Sequence, residues 1–206
     1  LKRVAKEGGV KVKQADVFYH SEGACWLARN EEKLTGIDDP VMAAIKDAKI
    51  KPNSVLEIGC SNGWRLKLLE KKYKCATTGV EPAAIGTGNI LRGTADNLPI
   101  KHLTFDVVIY GWCLYLCDRE DLFKIAAEGD RVLQEDGYLI VYDFFSNKPY
   151  QRAYKHHPGI FSYKMDHSLI WLANPAYRLM QRTMIDDETA ITILHKDTAH
   201  GWPLND

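Results

Sequence analysis

The sequence predicts an α/β fold opening on a nucleotide-binding βαβ unit, and three stretches predict it. The first is Ser54-Val55-Leu56-Glu57-Ile58-Gly59-Cys60-Ser61-Asn62-Gly63, a short apolar run with β-branched residues that ends in a polar turn between two glycines. It reads as a buried strand and tight turn. Trp64 to Tyr73 then resumes at helical period, with Leu66, Leu69 and Tyr73 on one face. The second stretch is Cys75 to Glu81, a further strand ending in an acid. The third is Phe105-Asp106-Val107-Val108-Ile109-Tyr110-Gly111-Trp112, the clearest strand in the chain. Strand, glycine turn and helix bring backbone N–H groups close to a ligand at the start of the helix.

The chain has 206 residues, 46% hydrophobic and 26% charged, which suits one globular domain with its own core. Its formal net charge of zero argues against a nucleic-acid backbone as the main partner. No apolar run reaches transmembrane length and no signal-peptide pattern opens the chain, so no membrane association is expected. Its five cysteines are odd in number and sit mostly in apolar runs, as reduced thiols of a cytoplasmic protein do. Cys113 and Cys117 lack partners at zinc spacing, and no metal site is expected.

Taken in order, residues 1–51 read as a basic tail (Lys2, Arg3, Lys6, Lys11, Lys13) and a helical, aromatic-rich cover from Val17 to Asn30. Asp39-Pro40 supplies an N-cap and a proline at N1 for a helix with Val41, Ile45 and Ala48 on its face. Pro52-Asn53 ends it, and residues 52–145 form the ligand-binding core. Glu81, about twenty positions beyond the glycine turn, is placed to accept hydrogen bonds from ribose hydroxyls. Pro82 to Asn89 is too short for a full crossover helix, so at most one helical turn is expected there. Ile90 to Ala95 is a third strand, followed by Asp96-Asn97-Leu98-Pro99. After the fourth strand, Asp118 with Asp121 is expected to cap a helix carrying Leu122, Ile125, Ala126 and Leu133, which ends at Gln134 to Gly137. Residues 146–176 are an aromatic, histidine-rich insertion. Residues 177–206 hold two last strands, Tyr177 to Ile185 and Ala190 to Lys196, and a tail.

The turn itself narrows the ligand. A dinucleotide fingerprint needs G-x-G-x-x-G, whereas this turn reads E-x-G-x-x-x-G. Gly86-Thr87-Gly88 follows no strand. A carboxylate at Glu57 would repel a pyrophosphate and suit an ammonium group. These residues resemble motif I of the class I S-adenosylmethionine-dependent methyltransferases, [DE]-x-G-x-G-x-G, with Gly59 and Gly63 matching and Ser61 in place of the middle glycine. Asp96 before Leu98-Pro99, the F-D-V-V entry at Phe105, and Arg131-Val132-Leu133 leading to Gly137 continue the resemblance, which covers about Pro52 to Phe145.

The resemblance implies a Rossmann-like three-layer sandwich: a seven-stranded, mostly parallel sheet whose last strand is antiparallel. It implies S-adenosyl-L-methionine as cofactor. The binding residues expected are Glu57, Gly59, Cys60, Ser61, Asn62 and Gly63 at the methionine end, and Glu81 with Pro82 at the ribose. Asp96 with Asn97 is expected at the adenine, and Tyr110, Gly111 and Trp112 at the switch-point crevice, where an aromatic face could meet the sulfonium. Where family members that methylate adenine or glutamine amino groups carry N/D-P-P-Y, this chain has Tyr110-Gly111-Trp112-Cys113, which disfavours that chemistry. The expected acceptor is a small molecule with an oxygen or nitrogen nucleophile. An RNA or protein methyltransferase and a non-catalytic binding module of the same fold stand as alternatives, and the oligomeric state stays open. His157, beside the Pro158-Gly159 turn, and Tyr19 are the catalytic candidates, with His156, His20, Tyr163 and Lys164 behind them.

Overall fold

The structure, a computed structural model, describes residues 12–34, 39–84, 88–101 and 105–201. Most of the basic tail, Lys2 to Lys11, lies outside the described residues. The chain begins with α1 (Gln14–Val17), which passes through a π-helical turn (Phe18–Glu22) into α2 (Gly23–Asn30), and continues with α3 (Pro40–Asp47). The core follows as β1 (Ser54–Ile58), α4 (Trp64–Tyr73), β2 (Ala76–Glu81), β3 (Ile90–Arg92), β4 (Phe105–Gly111), α5 (Leu122–Val132) and β5 (Leu133–Phe144). Then come β6 (Tyr150–Ala153), β7 (Phe161–Lys164), α6 (Leu169–Leu172), β8 (Tyr177–Asp186), β9 (Thr189–Lys196) and α7 (Thr198–Gly201).

Seven strands form one sheet in the order β3-β2-β1-β4-β5-β9-β8. Strands β1 to β5 pair in parallel, and β9 runs antiparallel to both of its neighbours. On one face Val41 and Ile45 of α3 and Leu69 of α4 pack on Val55, Val107, Ile109, Ile140, Ile191 and Ile193. On the other, Ile125 and Val132 of α5 and Trp171 of α6 pack on Leu56, Val108, Tyr110, Leu139 and Leu194. This is the three-layer sandwich, with the seven-stranded sheet and antiparallel last strand that the resemblance implied. Among the described residues no helix is long and apolar enough to cross a membrane.

Local chemistry explains most boundaries. Asp39 caps α3 as expected, its Oδ1 accepting the Met42 N–H at 3.0 Å, with Pro40 at the first position. Asp118 departs from expectation. It accepts the backbone N–H groups of Gln14 and Ala15, each at 3.0 Å, and so caps α1 instead of α5. Helix α5 ends at Val132 and the chain enters β5 at once, with the left-handed backbone at Asp136 (φ +61°) and not at Gly137. The third strand stops at Arg92, because Thr94 folds back to bridge Asn97.

Two features shape the mouth of the sheet. The described part of the β2–β3 connection is turn, and residues 85–87 lie outside the described residues. α2 closes in at this edge: a Cβ on Gly23 would sit 2.9 Å from the Ala83 Cβ. Arg92 donates to the carbonyls of Pro82 (3.1 Å) and Tyr19 (2.7 Å), tying the N-terminal segment to β3. The insertion forms a hairpin, β6 on β7, that docks on the same segment. The Gln14 amide accepts the Phe161 N–H (2.7 Å) and donates to the carbonyls of Phe161 (3.1 Å) and Leu116 (2.7 Å). The Tyr154 hydroxyl donates to Glu22 at 3.0 Å, and Arg29 binds the same carboxylate.

Candidate active site

The carboxyl end of β1 carries Glu57, 1% exposed. Arg65, in the first turn of α4, donates to it, and also grips Asp39 through Nε (3.1 and 3.0 Å) and Nη2 (3.0 Å). Asp39, Arg65 and Glu57 thus form a buried triad with one cation between two carboxylates. Gly111 makes room for it, since a Cβ there would meet the Arg65 Nη1 at 2.6 Å. Burial pushes the Glu57 carboxyl up, against the pull of Arg65.

The turn after β1 has three left-handed residues: Gly59 (φ +77°), Ser61 (φ +54°) and Gly63 (φ +74°). At Gly59 a Cβ would lie 2.9 Å from that of Cys113, so glycine is required. Ser61 bears the strain of a positive φ that the usual glycine would not. Its N–H donates to Glu81 at 3.0 Å, and Glu81 also accepts the Ala83 N–H at 3.2 Å. At the end of β4, Trp112 takes φ +56°, and its N–H donates to the Tyr142 carbonyl at 2.8 Å.

Two cavities meet at Gly59 and Trp112. The first is lined by Glu81, Pro82, Asp96, Cys113 and Ile125, and is covered by Phe18 and Trp26 from the N-terminal segment. The second, of about 510 Å³, holds the triad with Cys60 and Ser61 on one side and Trp26, Trp64, Tyr115, Tyr142, Tyr154 and His156 around it. Glu57 Oε2 and Ser61 Oγ are buried without a hydrogen-bond partner among the described residues. Orphaned buried polar atoms are costly, and these two, one at the end of β1 and one in the middle of the turn, mark a place built for a ligand's polar groups.

Residues 56–141 match a family model described as a methyltransferase domain. This part of the chain is similar to a methyltransferase domain, the kind of domain that its motifs resemble. The match and the fold support an enzyme of the methyltransferase class that uses S-adenosylmethionine. Among solved structures, a Burkholderia thailandensis 1,6-didemethyltoxoflavin-N1-methyltransferase, bound to 1,6-didemethyltoxoflavin and S-adenosylhomocysteine, is 15% identical with a TM-score of 0.75. That alignment covers 94% of this chain and 93% of the other. S-adenosylmethionine-dependent methyltransferases of Aquifex aeolicus (16% identity, TM-score 0.55, 80% and 97% covered) and Archaeoglobus fulgidus (15%, 0.57, 83% and 100%) share the fold. A search of curated proteins finds no match.

The residues singled out from the methyltransferase motifs separate into groups. Gly59, Glu81, Pro82, Asp96 and Trp112 line the first cavity, and Glu57, Gly59, Cys60, Ser61, Gly111 and Trp112 the second. Asn62 and Gly63 shape the turn, with Asn62 Oδ1 accepting the Trp64 N–H at 3.2 Å. Tyr110 does not face the crevice. It is fully buried under α5, with its hydroxyl donating to the Ile125 carbonyl at 3.2 Å and its ring 5.1 Å from Trp171. Strand alternation would send Trp112 the same way, but its positive φ turns the indole into the cavities.

Asn97 and Tyr19 sit together on an outer rim beyond Asp96, where Arg92 lies over the Tyr19 ring at 4.0 Å. Tyr19 lines neither of the two main cavities. His157 lines neither as well: it sits just before Gly159 (φ +82°) with Nδ1 against the Pro158 carbonyl at 2.9 Å, and the preceding residue, His156, is exposed and reaches the rim of the second cavity. Sequence reasoning missed Arg65, Tyr115 and Tyr142. Arg65 did leave a signal, as a charged residue four positions before Leu69 on the helix face that packs inward.

Asp143, near the end of β5, is 2% exposed and accepts the Tyr115 N–H at 3.1 Å, which holds the segment after Trp112 in place. Burial raises its carboxyl to about 7 despite that bond and the one from Phe144. The folded state therefore holds a proton that the unfolded chain releases near pH 4. This contribution to stability is complete below that pH and is lost as pH rises through about 7. Between pH 5 and 8 the loss should be up to about 3 kcal/mol, and Asp143→Asn should flatten that slope in urea titrations run at each pH.

Proposed function

We propose that this methyltransferase transfers the methyl group to an oxygen or nitrogen of a small, flat acceptor held in the second cavity. The observation that carries this reading is the aromatic wall of Trp26, Trp64, Trp112, Tyr115, Tyr142 and Tyr154, continuous with the cofactor cavity at Trp112. Such walls favour stacked or edge-on rings and offer few hydrogen bonds to a polymer backbone. The Burkholderia structure holds a small-molecule substrate together with S-adenosylhomocysteine, which supports a small acceptor here.

The bound cofactor supplies a methyl group activated on a sulfonium. The chain's own residues hold and orient. Glu81 accepts from the ribose hydroxyls and Asp96 from the adenine amino group, with Asn97 at the rim. Glu57 offers its free Oε2 to the methionine ammonium, and the Gly59–Gly63 turn presents backbone around it. Trp112 sets its ring where the two cavities join. Alignment of two reactants in a near-attack geometry can supply up to about 7–11 kcal/mol of barrier lowering. The docked hairpin and N-terminal segment keep water out.

Mass spectrometry of the purified protein should find co-purifying S-adenosylmethionine or S-adenosylhomocysteine. Calorimetry should show binding of S-adenosylhomocysteine and none of NAD. A panel of hydroxylated and N–H heteroaromatics should yield methylated products, while RNA and protein substrates should not. Methylation of RNA or a protein alone would overturn the acceptor reading and leave the cofactor site standing.

A further inference from the structure

We infer that His156 is the general base of this methyltransferase and that it serves an acceptor whose reacting atom is a ring hydroxyl or ring N–H. The inference deepens the acceptor reading and rests on it. Transfer to such an atom requires its proton to leave, and the cavity has few groups able to take one. His156 is the one imidazole that lines it among the described residues. Its ring, exposed at the mouth of the cavity on the β6–β7 hairpin, stands edge-on to Tyr154 at 5.3 Å.

The other ionisable side chains are occupied or of the wrong kind. Asp39 is held by Arg65, and Glu57 gives one oxygen to Arg65 and the other, Oε2, to the methionine ammonium in the proposed cofactor pose. Burial, and then its bond to Glu22, push the Tyr154 hydroxyl up to about 12, and burial raises Tyr115 and Tyr142 as well. At neutral pH these phenols are donors, not bases. Lys33 at the mouth brings a donor only. Around His156, then, the charged and titratable groups include Lys155 and Tyr154 on its own hairpin, Glu22, Arg29 and Lys33 of the N-terminal segment, and Cys60, whose thiol burial pushes up and keeps protonated. Tyr115 and Tyr142 face it from the sheet side, above the Asp39–Arg65–Glu57 floor.

The step balances. The acceptor atom forms its bond to the methyl carbon as the carbon–sulfur bond breaks and leaves its pair on sulfur. The acceptor's X–H pair stays on X, and the proton passes to an imidazole nitrogen and on to solvent. The positive charge moves from sulfonium to imidazolium, so the total is unchanged. An imidazole can accept this proton through a ring nitrogen, and a positioned base adds roughly 10²–10⁴-fold in rate.

The test uses the full chain saturated with S-adenosylhomocysteine and the probe 7-hydroxycoumarin, whose phenolate has its own absorbance band. Bound to the wild type, the probe should ionise at least about one pH unit lower than when bound to His156→Gln, since an imidazolium beside a phenolate favours the charged form. His157→Gln should behave as wild type, and calorimetric affinity for S-adenosylhomocysteine should stay within about twofold in both variants. Equal midpoints in wild type and His156→Gln, or a shift lost only in His157→Gln, would overturn the assignment. If S-adenosylhomocysteine binds and the probe does not, the aromatic-acceptor inference falls with the base. If S-adenosylhomocysteine itself does not bind, the failure lies in the cofactor site.

Discussion

Arg65→Ala should destabilise the folded protein by about 3–5 kcal/mol, the loss typical of a buried ion pair that keeps its carboxylates and loses its cation. For a chain of this length that corresponds to a melting temperature lower by roughly 6–20 °C. Asp39 and Glu57 lie within 5% exposure, and water cannot replace the guanidinium around them. The double replacement Arg65→Met with Glu57→Gln should recover part of the loss. Adding Asp39→Asn, which can still cap α3 through its side-chain oxygen, should recover more, because burying no charge is often as stable as burying a compensated set. Arg65→Lys should fall between, since an ammonium cannot present the planar fork that meets two carboxylates at once. A loss below about 1 kcal/mol for Arg65→Ala would put the triad in the class of screened surface pairs and refute its buried character.

Glu81→Ala should weaken S-adenosylhomocysteine binding at least tenfold in calorimetry, since each charged hydrogen bond to a ribose hydroxyl is worth roughly 1.5–3 kcal/mol. The structure adds a second effect. The Ser61 and Ala83 N–H groups lose their acceptor, so the empty variant should also be less stable, by about 1 kcal/mol per bond. Glu81→Gln separates the two, because its amide oxygen still accepts from the backbone. Burial raises the Glu81 carboxyl, in spite of those two N–H groups. Protonation removes its charge and turns one of its two acceptor oxygens into a donor, so affinity should fall on acidification, and fall at a higher pH than an ordinary glutamate would impose. An unchanged affinity in Glu81→Ala would take the ribose away from this residue.

The sequence by itself determined the strands and turns at the heart of the sheet. Ser54–Ile58 with its glycine turn, Ala76–Glu81 with its terminal acid, and the run from Phe105 to Gly111 are written in local period and composition, which depend only on near neighbours. The short β2–β3 connection was legible for the same reason, as a simple count of residues. Tertiary structure decided what local pattern does not encode. Asp118 caps a helix more than a hundred residues away, and Arg65 joins two carboxylates from separate elements. Tyr110 and Trp112, equivalent by strand alternation, part because one backbone angle at Trp112 lies at +56°. His156 and His157 are neighbours in sequence, yet the hairpin sets the first at the rim of the cavity and leaves the second on its own turn. In each case a side chain's direction follows from a turn angle or a distant contact, and both exist only once the chain has closed on itself.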